Sequence, residues 1–330
     1  PPRCAASIRP HAPAAAREDG WMQRSVADYE FTSWLFASEN HPDLFTNPCE
    51  DAILAAIDEA VKSPRSGTHL VRRIPGVIPQ LLQSLRSPDF SGQELARLIW
   101  HDVVLVSEVL RLANSAAYNP GTPITSIDHA ILILGQDGLR QLITGVAFKP
   151  IIDMKSGSFT RRVAPHLWDQ AERCALANRI LARAAGADPL EAFLAGLIHN
   201  VGLIVALRII DQIYDRSQPL GSPTFCNALV PLGRALTANI AREWHFPDTV
   251  IRAVGEADAA EKGGGAGSRE PMSALGAILV TGDYLAKLDT LRRQGRIAQD
   301  DPRVSHDLSE AQRECFAQIA LLEQRDWGLA

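Results

Sequence analysis

No two of the five cysteines, Cys4, Cys49, Cys174, Cys226 and Cys315, lie close enough to form a CxxC pair, and their number is odd. Scattered single thiols exclude a disulfide framework and fit the reduced state of a cytosolic protein. An excess of basic charge is missing too: 33 basic and 38 acidic residues are interspersed, for a net charge of -5. That balance speaks against a general nucleic-acid binder, which presents a basic face. The chain begins Pro1-Pro2-Arg3-Cys4, without an initiator Met or a signal-type apolar core. Its most apolar stretch, Ala192 to Ile210, is interrupted by His199, Asn200 and Arg208. A membrane span tolerates those residues poorly, so the stretch reads as a buried core helix and no membrane insertion is expected. Sustained apolar/polar alternation bounded by hairpin turns is absent, which removes the signal for strands. So are GxSxG, HExxH and HxH spacings and a Rossmann fingerprint. The glycine run from Glu261 to Ser268 lacks a GK[ST] ending and follows no strand, and reads as a flexible linker.

What is present is helix after helix. Ile53, Leu54, Ile57 and Val61 follow helical spacing. Ser91-Gly92-Gln93-Glu94 forms a capping box, Asp102 can cap the helix after it, and a further helix runs from near Ser126 to a stop at Gly135. Asp188-Pro189 is another start, with proline at the first helical position, where its missing N–H costs nothing. Residues 1 to about 20, rich in Ala, Pro and Arg, read as disordered. Between residues 21 and 45 lie Trp21, Tyr29, Phe31, Trp34, Phe36 and Phe45, six of the 20 aromatics. So many large apolar side chains need cover. The segment is expected to pack across the helical domain and help fix its two lobes relative to each other; the alternative is a docking segment for a partner.

Four landmarks occur in order: Ile74-Pro75-Gly76-Val77-Ile78-Pro79, then Ser91 to Leu95, then Arg111-Leu112-Ala113-Asn114-Ser115-Ala116, then Ile127 to Ile131 leading through Gly135 to Leu139-Arg140. Together with Ala192 to Gly202 they resemble the HDOD (HD-related output domain) family over about residues 73 to 290. The resemblance implies an all-α, two-lobed helical bundle whose second lobe is a degenerate HD-domain fold. The division expected is an N-terminal extension (1–62), an HDOD-like domain (63–290, with lobes 63–155 and 156–290) and a C-terminal helical extension (291–330). Pro75, Pro79, Arg111, Asn114, Ser115, Gly135, Arg140, Gly196 and Gly202 are read as fold determinants. Asn114 and Ser115 would satisfy loose backbone groups at a helix end.

True HD hydrolases hold one or two divalent metals with His and Asp side chains, and the metal generates the attacking hydroxide. Carried over from the resemblance, the first His position falls at Gln170. The His-Asp doublet becomes His199-Asn200, and an amide carbonyl is a far weaker ligand than a carboxylate. A third position falls near Leu229, and a His pair falls around Glu256 to Asp258, where no His stands. Asp283 survives. No metal, no cofactor and no catalytic residue are therefore expected, and His199 should be a buried imidazole bonded to Gln170 or Asp283. The reading is a cytoplasmic, non-catalytic signalling output module acting on a protein partner or a small ligand, in two-component or cyclic di-GMP pathways. Two alternatives stand beside it: a phosphohydrolase with a rebuilt site, and a sensor using the old cleft lined by Gln170, His199, Asn200 and Asp283.

Overall fold

The structure is a computed structural model, and it describes residues 14–38, 41–63, 157–214, 218–244, 246–261 and 272–322 with isolated positions between 110 and 144. The described residues form helices and no strands, so the all-α class holds. The helices are α1 (Ala14–Phe36), α2 (Pro48–Lys62), α3 (Ser158–Ala185), α4 (Pro189–Ile198), α5 (Val201–Ile213), α6 (Pro223–Glu243), α7 (Asp248–Glu261), α8 (Ala274–Arg293), α9 (Pro302–Ser305) and α10 (Glu310–Ile319).

Most of the starts are written locally. Asn47 and Glu50 close a reciprocal capping box over Pro48, and Ser309 with Gln312 does the same for α10. The Asp188 carboxylate accepts from the backbone N–H groups of Leu190 and Glu191 at 2.8 and 3.0 Å. Helix α3 follows Gly157, which has no side chain to cap with. Its first N–H groups, from Phe159 and Thr160, are taken by Asp211 of α5 at 2.8 and 2.9 Å. That cap comes from 52 residues away in sequence and ties two helices of the lobe together.

Helix α3 is the spine, packed against α4, α5, α8 and α10. Two glycines let backbones approach closely. A Cβ on Gly196 would meet the Ala175 backbone at 2.6 Å, and one on Gly202 would meet the Gly233 carbonyl oxygen at 1.9 Å. The Gly196 and Gly202 landmarks thus fix the α4–α3 and α5–α6 crossings.

Three expectations need correction. Helix α1 already begins at Ala14, inside the segment read as disordered. The stretch from Ala192 to Ile210 is two helices, broken at His199-Asn200, where the Thr237 hydroxyl donates to the His199 carbonyl at 3.0 Å. Pro189–Ile213 is long and apolar enough to cross a membrane by length and composition, but it is 94% buried in the core. The aromatic segment is also less uniform than expected. Phe31 and Phe36 are buried, and Phe36 stacks on Phe159 of α3 with ring centroids 5.8 Å apart. Tyr29 and Phe45 are 50% and 77% exposed. Helix α1 seats on α3, α6 and α8, α2 seats on α5 and α6, and both share one core with residues up to Ile319. The side chain of Trp21 lies outside the described residues.

The lobe expected at 63–155 is largely outside the described residues, as are Pro75, Pro79, Arg111, Ser115, Arg140, the Ser91 capping box and the Gly263–Gly267 run. Asn114 is described and does what a helix-end amide should. Its Nδ2 donates to the carbonyls of Leu110 (2.8 Å) and Ile124 (2.7 Å), while its Oδ1 accepts from Ile124 N. Ser126 accepts from the backbone N–H of His129, as the start read from sequence requires, and Gly135 has a left-handed φ of +69°; the residues between them are largely outside the described ones.

Candidate functional site

The break between α4 and α5 puts His199 and Asn200 at a corner, facing Gln170 on α3 and Asp283 on α8. The four residues read as lining the old cleft, Gln170, His199, Asn200 and Asp283, meet there. Asn200 donates through Nδ2 to Gln170 Oε1 at 2.6 Å. Gln170 in turn donates through Nε2 to Asp283 Oδ1 at 2.5 Å. His199 Nε2 lies 3.0 Å from the same oxygen, and its Nδ1 lies 2.5 Å from the Gly196 carbonyl. Of the two partners expected for His199, the structure selects Asp283.

Sequence reasoning missed two further members. Lys287 donates to Asp283 Oδ2 at 2.6 Å and to Asp28 Oδ1 at 2.5 Å. Asp28 comes from α1, and its other oxygen lies 3.6 Å from Arg234 Nη2 of α6. Lys287 follows Asp283 by four residues on one helix, the spacing at which side chains meet, so that pairing had a local signal. Asp28 had none, being 259 residues from its partner.

The electrostatics agree with this geometry. Burial pushes the Asp283 carboxyl up, but Lys287 and then His199 outweigh it and hold the group well below the usual carboxylate range. Burial pulls Lys287 down, and the Asp28 and Asp283 carboxylates more than restore it, leaving its pKa raised. The pair is an ammonium locked between two carboxylates.

A divalent metal does not fit this donor set. The groups turned toward Asp283 are the Gln170 amide N–H, the Lys287 ammonium and the His199 ring, and the Gln170 oxygen is spent on Asn200. N–H groups aim hydrogens where a cation would need lone pairs. Cys174 brings a sulfur within 4.8 Å of the His199 and Asp283 ligand atoms. Its thiol is fully buried, though, and burial foremost drives its pKa well above the ordinary value, so it remains a thiol rather than a thiolate ligand. Glu256, a conceivable substitute ligand, is engaged elsewhere, accepting from Ser273 N at 3.0 Å and Ser273 Oγ at 2.5 Å at the start of α8. Leu229 is core.

Beside the network lies a cleft of about 20 Å³, room for a water molecule. It is lined by His199, Arg234, Val254, Ala257, Leu279, Val280 and Asp283. Gln170 and Asn200, expected on the cleft wall, sit behind it in the buried network.

The HDOD domain family model matches residues 71–260. A protein of uncharacterised function from Treponema pallidum (strain Nichols) is 25% identical over 196 residues, spanning 56% of this chain and 37% of that protein. The chain thus covers little more than a third of that relative's length. An HDOD domain protein of unknown function from Geobacter sulfurreducens has a crystal structure similar to this one, with a TM-score of 0.56 at 22% identity, covering 82% of this chain and 89% of its own. A proposed metal-dependent phosphohydrolase from Shewanella amazonensis SB2B matches with a TM-score of 0.56 at 18% identity, over 83% of this chain and 99% of its own. At such identities these likenesses establish the fold. The family match ends before α8, so Asp283 and Lys287, like Asp28, lie beyond it.

Proposed function

Because the chain belongs to the HDOD domain family, we propose that it is a cytoplasmic signalling output module without hydrolase activity, coupled to two-component or cyclic di-GMP pathways through a protein partner or small ligand. One observation carries the non-catalytic part: both oxygens of Asp283 are satisfied by Lys287, Gln170 and His199. A catalytic metal needs anionic or lone-pair donors around an open coordination position. Here the protein's own ammonium supplies the charge that neutralises the carboxylate. The signalling part is supported by family membership, and it is the partner that gives it content.

The test uses the purified full chain. Elemental analysis should find no stoichiometric divalent metal, and added manganese should elicit no hydrolysis of cyclic di-GMP, pppGpp or a model phosphodiester. One metal or more per chain, or turnover abolished by Asp283→Asn, would overturn the reading. Tagged protein should in addition retain a specific partner from its native cytoplasm.

A further inference from the structure

Between Met22 and Phe36, the exposed positions of helix α1 are Met22, Val26 and Tyr29, at 59%, 44% and 50%. All three are apolar, and their i, i+4, i+7 spacing sets them on one stripe about 10 Å long. A surface helix ordinarily turns its apolar stripe to the core and its polar side chains to water. Here the polar ones are drawn aside: Gln23 donates to Asp307 at 3.0 Å, Glu30 accepts from Arg303 at 2.8 Å, and Asp28 accepts from Lys287. Ala27, Phe31 and Leu35 fill the core on the opposite side. Helix α1 therefore carries apolar side chains on two faces, and among the described residues only the inner face is covered.

The charge beside the outer stripe is of one sign. The Gln23 and Glu30 bonds lay the segment from Asp300 to Asp307 alongside α1. Arg303 is the one Lys or Arg of that segment. Asp301 holds it in a fork at 3.0 and 2.9 Å, and Glu30 takes its remaining nitrogen. Asp300 and Asp307 stay exposed, with no cation paired to them among the described residues. The rim is acidic.

We propose that the stripe Met22, Val26 and Tyr29 docks a basic amphipathic helix of a partner protein. The apolar face of such a helix covers the stripe, and Lys or Arg beside that face meet Asp300, Asp307 and Glu30. The proposal rests on the reading that the module acts through a protein partner, and the metal question does not enter it. Three side chains suit the small contact of a transient signalling complex. They fall well short of the roughly 800 Å² that each partner buries in a stable dimer, and a second copy would bring the same acidic rim. That rim also opposes an anionic lipid surface.

The probes are two labelled peptides of equal length, a leucine–lysine amphipathic helix and its leucine–glutamate counterpart, titrated with the full chain and followed by fluorescence anisotropy. We expect saturable binding of the lysine peptide, at least about tenfold tighter than that of the glutamate peptide. Val26→Ser combined with Tyr29→Ala should weaken it at least about tenfold, since aromatic anchors dominate such contacts. Both positions are exposed, so the melting temperature should change by less than about 2 °C. Asp307→Asn keeps an acceptor for Gln23 and should weaken binding by a smaller factor that vanishes as salt rises. Equal binding of the two peptides, or binding that ignores Val26 and Tyr29, would overturn the proposal. So would a larger fall in melting temperature, which makes the chain itself the cover of the stripe. Dimers in sedimentation that the double variant disperses, or vesicles of anionic phospholipid that the parent binds and the double variant does not, assign another occupant and overturn it too. Stoichiometric metal or turnover overturns the earlier non-catalytic reading and leaves this one standing, whereas a lysine peptide that does not bind metal-free protein overturns this one alone.

Discussion

Replacing Lys287 with Met probes the polar centre most directly, because Met keeps most of the length and the apolar stem while removing the ammonium. Lys287 and Asp283 are 5% and 7% exposed, so the substitution leaves a buried carboxylate without its cation. Breaking a buried ion pair from one side costs about 3 to 5 kcal/mol. Asp28 is 21% exposed and also faces Arg234, so its share of the loss is below about 1 kcal/mol. Two donors, from Gln170 and His199, still reach Asp283. We therefore expect the lower end, about 3 kcal/mol at neutral pH, measured by urea unfolding followed by circular dichroism. The pH dependence has a definite sign. In the parent, the depressed Asp283 carboxyl contributes stability that is in place above its unfolded pKa of about 3.9 and is lost only as pH falls through the lower folded value. Without Lys287 the folded carboxyl titrates higher and binds its proton earlier on acidification. The deficit of the variant should shrink as pH falls from neutral toward about 4. Adding Asp283→Asn should recover part of the loss, since the two sites are coupled. A loss below about 1 kcal/mol at neutral pH, or a deficit that grows with acid, would refute the assignment of Lys287 as the neutralising cation.

Two more outcomes follow from packing. Gly202→Ala drives a Cβ to 1.9 Å from the Gly233 carbonyl oxygen and should cost about 3 kcal/mol or more, whereas Gly255→Ala, with nothing within 4 Å, should stabilise α7 by about 0.5 to 1 kcal/mol; thermal melts of the two variants separate these cases. Deleting residues 1–46 should lower the melting temperature and promote aggregation, with Phe31→Ala alone costing about 3 to 5 kcal/mol and Tyr29→Ala within about 0.5, and equal effects of the two point variants would show that α1 is not seated as described.

Features encoded over three or four residues were legible in the sequence. The Asp188-Pro189 start, the Ser126 contact to the His129 N–H and the backbone-bonding role of Asn114 are local chemistry, and each has the partners that chemistry requires. Four of the positions carried over from the family pattern, Gln170, His199, Asn200 and Asp283, also meet at one corner, because a linear motif marks places in a shared fold. Other features were settled only when helices packed. The break at His199-Asn200 is accompanied by the Thr237 contact from α6 and by the close approach of Gly202 to Gly233, neither of which can be read from the stretch Ala192 to Ile210 alone. Glu256 turned to Ser273 rather than to the site because backbone N–H and hydroxyl donors at the start of α8 lay nearer. The identity of the cation beside Asp283 was decided the same way. Charge pairing between Asp28 and Lys287 spans 259 residues and depends on how α1 lies across α8, so it exists only in three dimensions. The sequence, through its family resemblance, implied a depleted set of metal ligands; tertiary structure decided that a lysine, held by a carboxylate from outside the family match, stands against Asp283.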